Sequence, residues 1–229
     1  MLIIGYFPFI YSNFGGFVLE TRLSEFGAVP VGHGTLLPLL AGYRRPNDKI
    51  AEWLRQGVLL PIKRGLYLVG PPWRRESVCL PLVANHLYGP SCVSLDYALA
   101  WHGLIPEQVH EVTSVCMRRG KVIENALGRF SYSSVPAALF PVGVRLERQG
   151  ETAAFLMAGP EKALCEKVLL TRHLETTSRA AMQDFLFEDL RLDGDALAMF
   201  DLSIVDCYVT SGHKRRQMQA LWRVLEGLR

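Results

Sequence analysis

Apolar residues recur at helical spacing in two short stretches early in the chain. Leu36, Leu37, Leu39 and Leu40 follow Thr35 and give way at Gly42. Pro46 then bars the same helix from continuing, because it has no amide hydrogen and a fixed φ. Asn47 reads as an N-cap with Asp48 in the first turn, and Ile50, Trp53 and Leu54 recur at i, i+3, i+4 until Gly57. Two strand-like runs come next, Leu59 to Lys63 and Leu66 to Val69, parted by Arg64-Gly65, where glycine supplies the positive φ of a tight hairpin turn. The predicted order is helix, turn, helix, hairpin. Gly70-Pro71-Pro72 breaks the pattern and places a domain boundary between residues 70 and 75.

Beyond that boundary, Val78 to Leu87 has helical period, and Ser94 reads as the cap of a helix through Trp101 that stops at Gly103. Strand character returns over Glu111 to Met117, Gly128 to Ser133, Val142 to Arg148 and Thr152 to Met157, which predicts a small sheet. From Pro160 the period is helical again, with Leu164, Val168 and Leu169 on one face, then Ala180 to Leu190, then His213 to Leu228. The expected fold class is α+β. It divides into an apolar N-terminal segment (1–34), a small helical and hairpin domain (35–72) and a larger mixed domain (73–229).

Residues 1–19 carry no charge and are rich in Ile, Phe, Tyr and Leu. A signal peptide needs a basic n-region, and a spanning helix tolerates few breakers, whereas this run holds Gly5, Pro8, Ser12, Asn13, Gly15 and Gly16. A docked strand or tail, or a start codon assigned too far upstream, is the expectation, with a further helix conceivable between Phe17 and Phe26. No membrane partner is expected. Hydrophobic content of 49% with 21% charged residues is that of a chain with a packed core. At 229 residues the chain suits two unequal domains, since domains most often run to about 100 to 150 residues. Five well-spaced cysteines, with no CxxC pair and no histidine at ligand spacing, point to reduced thiols in the cytoplasm and to no metal or other cofactor.

A net charge of +3 identifies no partner by itself, so the distribution of the basic residues carries that argument. A helix, turn, helix and hairpin of this size has the order of a winged helix-turn-helix, whose second helix enters the major groove. Asn47, Lys49, Glu52, Arg55 and Gln56 lie off the apolar stripe of that helix, Lys63 and Arg64 lie at the hairpin tip, and Arg44, Arg45, Arg74 and Arg75 flank the unit. The candidate DNA-binding residues are therefore Arg44, Arg45, Asn47, Lys49, Arg55, Lys63 and Arg64, with double-stranded DNA as partner. A solvated basic edge is the plainer reading of the same residues, and winged helices also bind proteins.

Four blocks in order carry a resemblance that spans about residues 35 to 172. They are KIAEWLRQGVLLPIKRGLYLV (Lys49 to Val69), YGPSCVSLDYALAWHGLIPE (Tyr88 to Glu107), GRFSYSSVP (Gly128 to Pro136) and AGPEKALCEKVLL (Ala158 to Leu170). Together they resemble the AbiEi antitoxins of type IV toxin-antitoxin systems, which belong to abortive infection. The resemblance implies a DNA-binding autorepressor of its own operon that counteracts a nucleotidyltransferase toxin through its second domain, without a stable toxin complex. By position it assigns the DNA-facing part to Asn47, Lys49, Lys63, Arg64 and their neighbours. The family commonly has an acidic residue where Cys165 and Glu166 follow Glu161-Lys162-Ala163-Leu164, and Glu166 keeps that charge.

Nothing in the sequence composes an active site, and no catalytic residue is assigned. There is no glycine-rich phosphate loop, partnered nucleophile or metal-ligand cluster. His102 reads as a structural histidine at a helix end, and Glu161 beside Lys162 reads as a carboxylate favoured by a helix N-terminus. The remaining basic run, Lys214, Arg215 and Arg216, opens a helix whose stripe is Met218, Leu221, Trp222 and Leu225. It is a candidate second nucleic-acid patch, which Asp193, Asp195 and Asp201 could instead neutralise. An unrecognised nucleic-acid-processing enzyme is the alternative of a different class.

Overall fold

The structure is a computed structural model that describes residues 22–71 and 73–229. It has the expected α+β class: helices accompany two sheets, one of three strands and one of six. Contacts divide the chain into two compact units, the first made of the chain up to Cys79 with Gln149–Ala153, the second of Leu80–Arg148 with Ala154–Arg229. Among the described residues no helix is long and apolar enough to cross a membrane. Most of the apolar N-terminal run, residues 1–21, lies outside the described residues; residues 22–24, within the span where a further helix was conceivable, are helical.

In the first unit, β1 (Val31–Gly32) leads into α1 (His33–Leu39), then α2 (Pro46–Arg55), β2 (Leu59–Lys63) and β3 (Leu66–Val69). The sheet order is β1-β3-β2, antiparallel throughout. Leu23, Val31, Leu36, Leu40, Ile50, Trp53, Val58, Leu59, Tyr67 and Val69 form the core, with Trp53 fully buried. The stripe of α2 closes onto the hairpin, so the helical period and the strand alternation bury one common face. Gly65 takes φ +73° at the hairpin turn, the conformation its sequence position demanded. Gly70 has a different necessity: a Cβ there would sit 1.9 Å from the Gly57 carbonyl oxygen.

Three local readings change. Asn47 is not the N-cap of α2: Arg45 holds that position, and Pro46 occupies the first helical turn, where its fixed φ fits and its missing N–H costs nothing. α1 starts at His33 and ends at Leu39 with Pro38 inside it, short of Gly42. β1 is only two residues long, too short to leave a period in the sequence.

The second unit is built on a mixed sheet in the order β6-β7-β5-β4-β9-β8. Its strands are β4 (Ser91–Val93), β5 (Val112–Cys116), β6 (Lys121–Asn125), β7 (Gly128–Ser134), β8 (Val144–Gln149) and β9 (Ala153–Ala158). β5 runs parallel to β7 and β4 parallel to β9, while β4 with β5 and β6 with β7 are antiparallel. The helices are α3 (Leu80–Leu87), α4 (Leu95–Trp101), α5 (Pro160–Leu170), α6 (Arg179–Asp184), α7 (Gly194–Ala198), α8 (Leu202–Thr210) and α9 (Arg215–Glu226). α6 continues as one π-helical turn, Phe185–Asp189.

Cysteine chemistry follows from burial. Cys79, Cys92, Cys116 and Cys165 are buried thiols outside any disulfide, and Cys207 is exposed. Burial, with the Glu166 carboxylate adding to it, pushes the Cys92 thiol up to about 12, and burial raises Cys165 as well. A thiol-specific reagent is therefore expected to titrate Cys207 alone in the native protein and all five thiols after denaturation. Two or more fast thiols in the native state would contradict this packing.

Candidate nucleic-acid interface

The basic residues of the first unit divide into those that reach solvent and those the fold has already engaged. Arg44, Arg45, Asn47, Arg55, Lys63 and Arg64 are exposed. A shallow cleft of about 460 Å³ is lined by Tyr43, Arg44, Arg45, Asp48, Lys49, Glu52 and Arg55. Inside it the charges partly cancel: Arg45 lies 3.7 Å from Asp48, and Lys49 lies 3.1 Å from Glu52. Arg44, Arg55 and Arg64 are exposed and make no salt bridge among the described residues.

Two expectations about outward-facing cations fail. The Lys49 side chain is only 15% exposed, with its ammonium paired to Glu52 and 5.8 Å from the Trp53 ring centroid. The long aliphatic stem of lysine packs against the apolar stripe although its Cα lies off it. The same lysine holds the Glu52 carboxyl below its ordinary value, and Gln56 donates a further hydrogen bond to it at 3.0 Å. Arg74 is likewise withdrawn, donating to the carbonyls of Val69 at 2.9 Å and Glu76 at 3.0 Å. It ties down the exit from the hairpin.

His33 is a further polar residue of the first unit, placed by contacts that spacing does not show. Its Nδ1 lies 3.2 Å from the Tyr67 hydroxyl and its Nε2 lies 3.1 Å from Asn47 Oδ1. Oδ1 only accepts, so Nε2 carries the proton and Nδ1 accepts from Tyr67. The chain Tyr67, His33, Asn47 links β3 through the start of α1 to the first turn of α2.

The C-terminal patch is smaller than its sequence implies. Lys214, at φ +42°, donates to the carbonyls of Val168 at 3.1 Å and Thr171, closing the C-terminal end of α5. Burial lowers the pKa of that ammonium. Only Arg215 and Arg216 of the three remain exposed. Among the described residues Asp193 and Asp201 form no salt bridge with them; each caps its own helix, accepting from the backbone N–H of Asp195 and Ser203.

The second unit also holds a buried polar cluster, whose members no single sequence spacing brings together. Lys162 and Glu166, one turn apart on α5, are fully buried, and Lys162 Nζ lies 2.7 Å from Glu166 Oε1. Lys162 also donates to the Leu139 carbonyl at 3.1 Å; Tyr208 donates to Glu166 at 3.1 Å, and Ser94 donates to its other oxygen. Ser94 thus sits at the N-cap position of α4 without using its hydroxyl for the cap. Burial pushes the Glu166 carboxyl above its ordinary range, against the pull of Lys162 and the two hydroxyls. Every ionised atom has a partner and none meets solvent, so the cluster organises the core and offers no reacting group to a substrate.

Glu161 is a structural acid of the same helix, 3.2 Å from Arg145 and accepting from the Asp201 amide. His102 bonds to the Ala158 carbonyl at 2.8 Å, in keeping with its reading as a structural histidine. Among the described residues no group of His, Cys, Asp and Glu is placed to hold a metal ion. The chain matches no protein-family model, and no curated protein matches it.

Proposed function

We propose that the first unit is a winged helix-turn-helix that binds duplex DNA, and that the protein is an autorepressing antitoxin of the AbiEi kind. The observation that carries the DNA-binding part is the position of the unpaired cations: Arg44 and Arg55 flank α2, and Arg64 tips the β2–β3 hairpin. A helix of ten residues with one buried face presents the other to a groove, and a hairpin with a cationic tip reaches an adjacent phosphate or minor groove. Asn47, exposed in the first turn of α2, is a further candidate donor to a base edge or a phosphate. The antitoxin part rests on the resemblance of four ordered sequence blocks. Its toxin, a nucleotidyltransferase in that family, is a functional partner of the second unit.

Binding to the DNA upstream of its own gene tests the first part. Affinity is expected to fall steeply with salt, because each phosphate contact releases counterions. Arg64→Ala should weaken binding to all sequences and reduce the slope of log K against log salt by about one unit. An absence of salt-sensitive DNA binding would leave a winged helix that binds protein.

A further inference from the structure

We infer that the second unit carries its own phosphodiester-binding turn, residues 117–121, formed by Arg118, Arg119 and Lys121. This inference does not rest on the reading of the first unit. The turn connects β5 to β6, and because β7 lies between those strands it crosses the end of β7. It passes so close that a Cβ on Gly120 would sit 2.9 Å from the Tyr132 carbonyl oxygen, which makes glycine a requirement of the crossing.

The backbone of the turn is pinned from below. The Tyr88 hydroxyl donates to the Arg119 carbonyl at 3.1 Å, and the Cys116 thiol lies 3.3 Å from the Arg118 carbonyl. Tyr88 is held in turn by edge contact with Tyr132 at 5.2 Å, whose own hydroxyl is anchored on the Ala84 carbonyl at 2.7 Å. Lys121 lies 5.7 Å from the Tyr88 ring centroid. With its backbone held, this turn would lose little further conformational entropy on meeting a ligand.

All three cations are exposed, and none makes a salt bridge among the described residues. Glu111 and Glu124 lie at the opposite end of these strands, where both pair with Arg129, at 3.3 Å and 2.6 Å. Exposed cations outside ion pairs retain their charge for a polyanion. The planar fork of a guanidinium donates two hydrogen bonds to the non-bridging oxygens of a phosphodiester, and the turn carries two such groups. Attachment to an anionic lipid surface ordinarily takes about four to eight clustered cations, more than this turn supplies, so the nucleic-acid backbone is the ligand favoured.

The test uses the full chain and a short labelled duplex of arbitrary sequence, with anisotropy followed across a salt series. The double variant R118A/R119A should reduce the slope of log K against log salt by about two units, since each contacted phosphate contributes about 0.9. R118K/R119K, which keeps the charges, should restore most of the slope and so excludes a mere folding defect. An unchanged slope in R118A/R119A, or equal loss of binding to phosphatidylserine vesicles with duplex binding intact, overturns the proposal. Arg64→Ala provides the separation: an effect of that variant alone removes this turn and keeps the winged helix, and an effect of R118A/R119A alone does the reverse.

Discussion

Lys162→Met is expected to destabilise the second unit by about 3–5 kcal/mol, because it leaves the fully buried Glu166 without its counter-ion. Ser94 and Tyr208 would still donate to the carboxylate, but two neutral hydroxyls do not replace a cation at 2.7 Å. The variant should also acquire an inverted acid response. Burial already raises the Glu166 carboxyl, and loss of the lysine raises it further. The folded chain would then bind the proton more tightly than the unfolded one, so stability would be greatest near the ordinary carboxylate range and would fall as pH rises through the raised folded value. Adding Glu166→Leu should recover part of the loss, and a double-mutant cycle measures the coupling. Urea unfolding of K162M within about 1 kcal/mol of the native protein would show that the pair is not the anchor described here.

Trp53→Ala should have the second large effect, about 3–5 kcal/mol, and it should fall on the first unit. A unit this small has little margin, since domains are stable by only about 5–15 kcal/mol. Trp53 is the largest fully buried side chain, and its indole N–H has no acceptor among the described residues. Trp53→Phe therefore loses volume without losing a hydrogen bond and should cost much less than the alanine variant. Hydrogen exchange of the α2 and hairpin amides reads both. Equal protection loss in the two variants would mean that the indole does something beyond filling space.

Most of the large elements were legible because each buries one face at a recognisable period. The stripe Ile50, Trp53, Leu54 located α2, and the Arg64-Gly65 turn located the β2–β3 hairpin to the residue. What escaped was short or lacked contrast. β4 spans three residues, all buried, too few for alternation to show, and β6 reads polar because it is an edge strand. α5 misled for the opposite reason: both its charged and its apolar residues are buried, so no stripe separates Lys162 and Glu166 from solvent-facing charges.

The candidate interface was legible in the same partial way. Spacing shows which residues lie off an apolar stripe, but not where a long side chain ends. Lys49 folds back onto Trp53 and Glu52, Arg74 onto two carbonyls and Lys214 onto the end of α5. Arginine and lysine reach several ångströms from their Cα, so their final partners are set by tertiary neighbours that sequence spacing does not record. His33 went unremarked because its partners Asn47 and Tyr67 are brought to it only by the closed fold. The cations of the 117–121 turn are not distinguished by spacing either, since the crossing of β7 that presents them is set by the strand order β6-β7-β5.

Growth of cells expressing the gene adjacent to this one, alone and together with the full-length protein, tests the antitoxin reading most directly. The neighbour should arrest growth by itself, and co-expression of the protein should relieve the arrest even when Arg64→Ala has weakened its hold on DNA. A neighbour without toxicity, or an arrest that persists beside well-expressed protein, would contradict the antitoxin assignment.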